Sequence, residues 1–149
     1  MKRVAICCFV MLFALQSCER KLEIDYKPLF EEASIKLNSE RFVLVIPQNG
    51  CSNCVKKSYD FMLPRYNSPL IKYVFTNYGS KKGIRVRLKV LGEEDTSEIG
   101  FIELSVALDH ELSHMYPSLL EIGKDGKAKV TFMNAEDGSD WQWLEEQME

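Results

Sequence analysis

The stretch "RFVLVIPQNGCSNCVKKSYDFML", Arg41 to Leu63, predicts a buried strand followed directly by a helix. Phe42–Pro47 is an unbroken apolar run rich in β-branched residues, which is typical of a strand covered on both faces. From there on, apolar residues recur at helical spacing until the next proline. Two cysteines three positions apart, Cys51 and Cys54, therefore lie at the predicted start of the helix.

The cysteine pair has three interpretations: a redox pair, two metal ligands or a structural bridge. A thiol at a helix N-terminus faces unpaired backbone N–H groups and the positive end of the helix dipole, which favour the thiolate. Cys51, at the exposed start, would attack a partner disulfide, and Cys54 would resolve the mixed disulfide. A bridge across so short a loop would constrain the unfolded chain little, which argues against a structural role.

The N-terminus predicts export and lipidation. Lys2 and Arg3 precede the apolar run Val4–Leu15, which is shorter than the about 20 residues of a membrane span and fits a signal-peptide core. The following "LQSC" ends at Cys18 and resembles the lipobox of bacterial lipoproteins. The resemblance implies a signal peptide over residues 1–17, acyl chains on Cys18, and anchoring to the cell membrane or outer membrane. An ordinary cleaved signal or a membrane anchor is the alternative.

Removal of the signal peptide simplifies the cysteine count and shifts the charge. Of the five cysteines, Cys7 and Cys8 would leave and Cys18 would carry lipid, so Cys51 and Cys54 would remain in the folded part. The periplasm or cell envelope is oxidising, so disulfides form and turn over there. The formal charge falls from −3 to −5, because two cations and no acid are removed. A mildly acidic chain without a basic block is not expected to bind nucleic acid.

The remaining pattern predicts one α/β domain over residues 27–149, after a polar lipidated tether over residues 18–26. Ser80–Gly92 alternates apolar and basic residues and slightly favours an edge strand, although Ser80 could equally cap a helix. The other predicted elements are a helix in Lys27–Glu40, a strand in Leu70–Asn77, a strand in Phe101–Leu108 that passes into a short helix, a hairpin in Tyr116–Met133 turning at Lys124–Gly126, and a final helix in Ser139–Met148 capped by Ser139 or Asp140.

From Arg41 to the end, the chain resembles the thioredoxin superfamily. The buried strand, "CSNC" at a helix start, "YPSLLEIGKDGK" and a last helix carry the resemblance. It implies a thioredoxin-like fold, in which a central mixed β-sheet is flanked by helices, with an N-terminal helix and a C-terminal hairpin plus helix. It also implies that Pro117 is a cis-proline beside the thiols and that Tyr116 and Pro117 bind substrate backbone. Ser52-Asn53 replaces the Gly-Pro of thioredoxin itself, and Val45 replaces its buried acid.

A second motif, "HELSH", spells a zinc-protease signature. On a helix, His110 and His114 would share a face, and Glu111 could act as base to a zinc-bound water. Pro117 disfavours helix just after the motif, and the sequence offers no obvious third ligand. The simpler interpretation is a short surface helix that points Leu108, Leu112 and Met115 at the core. A site combining both cysteines with both histidines is a further alternative.

The sequence therefore predicts a lipid-anchored, thioredoxin-like protein of the cell envelope that catalyses thiol–disulfide exchange through Cys51 and Cys54. Its expected partners are envelope proteins with cysteines or disulfides, and the redox-active disulfide replaces any cofactor. The alternatives are a zinc-dependent hydrolase that uses His110, Glu111 and His114, and a non-catalytic binding lipoprotein with the same fold.

Overall fold

The computed structural model describes residues 22–92 and 99–149. It is an α/β protein built on one mixed six-stranded sheet with helices on both faces. The strands are β1 (Leu22–Asp25), β2 (Phe42–Pro47), β3 (Ile71–Thr76), β4 (Gly100–Phe101), β5 (Ser118–Ile122) and β6 (Lys127–Phe132). The α-helices are α1 (Tyr26–Glu32), α2 (Ser52–Met62), α3 (Lys81–Val90), α4 (Leu104–Asp109) and α5 (Gly138–Gln147).

The strands follow the order β1-β6-β5-β2-β3-β4. β2, β3 and β4 are parallel, whereas β5 runs antiparallel to β2, and β6 pairs antiparallel with both β5 and β1. The parallel strands β2 and β3 both end at one edge of the sheet, where Pro47 lies opposite Thr76. Side chains that follow these two strands are therefore brought together at that edge.

Alternate residues of β2 belong to two hydrophobic cores, one on each face of the sheet. Phe42, Leu44 and Ile46 pack against α2, α3 and α5 on one face. Val43 and Val45 pack against α1 and α4 on the other face. A strand buried on both faces explains the unbroken apolar run, and it fixes the register, because a one-residue slip would exchange the two cores. β2 is thus a rigid support for the cysteine pair that follows it.

The structure confirms the predicted strands β2 and β3, the hairpin of β5 and β6, and the final helix. Gly126 in the hairpin turn has a φ of +89°, the left-handed conformation that glycine adopts without strain. The cap of α5 is Asp137 rather than Ser139 or Asp140, since its side chain accepts the Ser139 N–H at 3.0 Å. The first helix ends at Glu32 and is shorter than predicted.

Three segments differ from their predictions. The strand expected over Phe101–Leu108 is limited to β4, and α4 begins already at Leu104, where Ala107 packs into the second core. Leu22–Asp25, expected in the tether, pairs with β6 as an edge strand. Lys81–Val90 is a helix and not a strand: the Ser80 side chain accepts the Gly83 N–H at 3.2 Å, and Ile84 and Leu88 are buried one turn apart. The cap and this single buried stripe outweigh the alternation of apolar and basic residues.

None of the helices within the described residues is long and apolar enough to cross a membrane. The predicted signal peptide, Cys18 and the first part of the tether lie outside the described residues.

Candidate thiol site

Cys51 and Cys54 form a disulfide at the start of α2. Cys51 is the N-cap, and its sulfur accepts the Cys54 N–H at 3.4 Å. Cys51 is partly buried, whereas Cys54 has no solvent exposure. The structure therefore confirms the predicted difference in exposure between the two cysteines.

The segment before β5 packs directly against the cysteine pair. The Cys51 N–H donates to the Met115 carbonyl at 2.8 Å. A Cβ on Gly50 would collide with that same carbonyl oxygen and lie 3.2 Å from the His114 oxygen, so only glycine allows the two chains to approach this closely. The segment therefore lies close to the cysteine pair, as expected, and the contacts between them are made by the backbone.

The end of β3 also contacts the turn that precedes the cysteine pair. The Gln48 and Asn49 N–H groups donate to the carbonyls of Thr76 and Asn77 at 2.9 and 3.1 Å. The Asn77 amide donates in turn to the His114 carbonyl at 3.3 Å. Asn77 thus links the turn before Cys51 to the segment before β5. It was not singled out from the sequence, although a polar residue directly after a buried parallel strand is a usable signal.

Tyr116 and Pro117 follow directly after Met115, whose carbonyl accepts the Cys51 N–H. Tyr116 is exposed and Pro117 is buried. The Tyr116–Pro117 peptide bond is trans, however, since the described residues contain no cis bond. The implied cis-proline is therefore wrong for this structure, which has the isomer that X–Pro bonds adopt by default.

A polar cluster on the α2 and α3 side supports the turn. The Gln48 Oε1 accepts the Tyr59 hydroxyl at 2.8 Å and an Arg87 N–H at 3.3 Å. Burial raises the pKa of Tyr59, and the Arg87 charge opposes that rise. Arg87 thus joins α3 to the residue three positions before Cys51. Gln48 and Arg87 were missed because their contact depends on how α3 packs against the turn after β2.

Val45 stands opposite Ser118 in the sheet and is fully buried, so no carboxylate lies at that position. The Ser118 hydroxyl and the Thr76 hydroxyl are buried and have no hydrogen-bond partner within the described part of the chain.

The HELSH segment is not helical. α4 ends at Asp109, His110 is its C-cap, and Glu111 has a φ of +60°. The Leu112 N–H donates to the Ala107 carbonyl at 2.9 Å and the Glu111 N–H donates to the Leu108 carbonyl at 3.0 Å, which is the Schellman pattern of a helix end. His110 and His114 therefore share no helix face, and the geometry expected of the protease signature is wrong.

Burial in the same segment supports a structural role. Leu112 is buried with Ala107 in the second core, as the Schellman motif commonly requires. Leu108 and Met115, expected to face the core, are exposed. His110 lies 3.9 Å from the Glu32 carboxylate, and His114 is exposed. Within residues 22–92 and 99–149, no three His, Cys, Asp or Glu side chains are grouped as metal ligands.

Comparisons of the chain with protein-family models, with curated proteins and with solved structures gave no match.

Proposed function

We propose that this protein is a thioredoxin-like lipoprotein that exchanges disulfides with proteins of the cell envelope. The observation that carries the proposal is the asymmetry of the pair: Cys51 caps a helix and is partly exposed, whereas Cys54 is fully buried. The sheet order, with antiparallel β5 beside the parallel strand that leads to the cysteines, supports the thioredoxin-like assignment.

The exchange proceeds in two balanced steps. In the reduced protein, the Cys51 thiolate attacks one sulfur of a partner disulfide; that S–S bond breaks, a Cys51–partner disulfide forms, and the released partner sulfur takes a proton. The Cys54 thiolate then attacks the Cys51 sulfur and releases the second partner thiol. The partner disulfide is reduced to two thiols while Cys51 and Cys54 are oxidised, and the reverse sequence oxidises a dithiol partner.

The segment before β5 suits the binding of a partner chain. Tyr116 is exposed beside the cysteine pair, and Asn77 and Cys51 hold the backbone of His114 and Met115 in place. Tyr116 is therefore available for contact with a partner that approaches Cys51. Pro117 is buried and positions this segment at the start of β5 rather than offering its own side chain.

The test uses the mature protein in detergent, reduced and then mixed with a short peptide that contains one disulfide. We expect Cys54→Ser to accumulate a peptide adduct on Cys51, detected by mass, because the resolving thiol is missing. Cys51→Ser should form no adduct, since the buried Cys54 cannot reach the peptide. Ser52→Ala, a change of an exposed neighbour, should behave as the parent does. Equal and slow formation of the peptide adduct in all variants would instead indicate a non-catalytic binding protein.

The lipid anchor is a separate part of the proposal, and it is supported by the order of charge, apolar core and lipobox before Cys18. Cys18→Ala should abolish incorporation of a labelled fatty acid into the protein, whereas Cys51→Ala should leave that incorporation unchanged. A Cys18→Ala protein that still incorporates the fatty acid would contradict lipidation at this residue without affecting the exchange reaction.

A further inference from the structure

The outer face of α3 combines positive charge with exposed aliphatic side chains. The ten residues of this helix include five basic residues and no acid, in a chain whose formal charge is −3. Opposite the buried Ile84 and Leu88, the side chains of Val86 and Val90 are 51% and 80% exposed. They lie one turn apart, as the anchor residues of helix-mediated contacts commonly do.

The lysines of this face are available to a partner. Lys82 and Lys89 are exposed, and neither makes an ion pair within residues 22–92 and 99–149. By contrast, Lys81 and Arg85 turn toward the Phe101 ring, at 5.7 and 5.5 Å from its centroid. The outer face is therefore made of Lys82, Val86, Lys89 and Val90, which we call the α3 outer face.

Helix α3 is joined to the turn that precedes the cysteine pair. Arg87, on the flank of the same helix, donates to Gln48, and at most about 11 Å of chain separates Gln48 from Cys51. A protein interface of ordinary size covers about 800 Å² on each partner, roughly 30 Å across. A protein of this size that presents a disulfide to Cys51 has enough surface to cover the preceding turn as well, and α3 is joined to that turn.

We propose that the α3 outer face docks the exchange partner, and that this partner is a polypeptide with an acidic surface bearing apolar side chains. The inference rests on the proposed function and adds the chemistry of the partner. Lys82 and Lys89 attract the acidic surface and speed encounter, which is the main effect of complementary charge. Val86 and Val90 pack against the partner's apolar side chains once it is bound.

The test measures exchange by the mature full chain, in neutral detergent, with disulfide peptides of one length and net charges of −4, 0 and +4. We expect the acidic peptide to react at least about fivefold faster than the basic one at low salt, with the difference shrinking as salt screens the charges. Lys82→Glu with Lys89→Glu should remove or invert this preference. The matched control, Lys36→Glu with Lys124→Glu, changes two exposed lysines outside α3 and should retain it.

The two valines are tested with two acidic peptides that carry either two leucines or two serines four positions apart. The leucine peptide should have the lower KM with the parent protein, and Val86→Ser with Val90→Ser should abolish that advantage. An unchanged charge preference in the Lys82/Lys89 variant would overturn the proposal. So would protection of α3 from hydrogen exchange only in anionic vesicles, since that result assigns the helix to a lipid surface.

Failure of this inference is distinct from failure of the proposed function. Reduction of the Cys51–Cys54 disulfide by dithiothreitol, a small neutral dithiol, should proceed equally in the parent and in the Lys82/Lys89 variant. If the parent exchanges with dithiothreitol and with all peptides at one rate, only the docking surface is wrong. If it exchanges with none of them, the proposed function is wrong.

Discussion

The turn that carries the cysteine pair and the turn that carries the two histidines differ in what the backbone does there. At Cys51 a helix begins, so the Cys51 sulfur faces the N–H groups of the first helical turn, and Cys51 itself stays partly exposed to solvent. At His110 a helix ends, so the backbone turns left-handed at Glu111 and carries Leu112 into the core. Helix starts attract anions, whereas this helix end serves to close a hydrophobic contact. A helix start thus holds a reactive side chain where the backbone favours its anion, whereas this helix end places its histidines beside a packing contact.

The largest expected effect breaks the helix-end contact. Leu112→Ala removes a fully packed side chain from the second core and should lower the free energy of unfolding by about 3 kcal/mol. Urea unfolding followed by circular dichroism measures it. His114→Gln, an exposed change in the same segment, should stay within about 0.5 kcal/mol. A large loss from His114→Gln would show that the histidine, and not the leucine, organises this turn.

The next effect is at the thiol end. Gly50→Ala places a methyl group against the Met115 carbonyl, so the segment before β5 must shift, at a cost of about 2 kcal/mol. The alkylation rate of reduced Cys51 should change as well, because its N–H bonds to that carbonyl. Gly79→Ala is the matched control, since a Cβ there meets nothing within 4 Å. Equal stability of the two variants would contradict the close approach at Gly50.

A smaller effect of opposite sign tests the left-handed residue. Glu111→Gly should raise the free energy of unfolding by about 0.5–1 kcal/mol, because glycine adopts a positive φ without steric cost. Glu111→Ala removes the carboxylate but keeps the Cβ, and it should give no such gain. If Glu111→Gly destabilises the protein as a helix-interior glycine would, the segment is helical and the protease geometry returns.

The smallest effect is a pH dependence at the thiol end. Burial raises the pKa of Tyr59 in the folded protein, so the unfolded chain loses this proton first, near pH 10. The contribution of the protonated Tyr59 to the free energy of unfolding is complete below that pH, and it is lost as the pH rises toward the folded-state pKa. Stability should fall less steeply above pH 10 in Tyr59→Phe than in the parent. Tyr116→Phe, which removes an exposed phenol, should keep the parent's slope, and an identical slope in all three proteins would contradict the burial of Tyr59.

Local patterns predicted β2, the helix start at Cys51 and the hairpin, because each depends on residues close together in sequence. α3 was the harder case: Ser80 and the pair Ile84 and Leu88 already specified a helix, but alternation with basic residues concealed it. The helix end at Glu111 could not be predicted from the histidines and the glutamate of the HELSH motif. It depends on the packing of Leu112 with Ala107 in a core that distant strands also form. The contacts of Gln48 with Arg87 and of Gly50 with Met115 depend on the same long-range packing.

The pairing of β1 with β6 has a consequence for where the chemistry can happen. β1 begins at Leu22, four residues after Cys18, and four residues extend to at most about 14 Å. Leu22 is three strands from β2, which places it about 25 Å from Cys51 at the usual strand spacing and rise. With Cys18 lipidated as proposed, the reactive sulfur is confined to a layer about 40 Å deep above the bilayer. Proteins fixed to the same membrane would then meet it at a far higher effective concentration than freely diffusing ones.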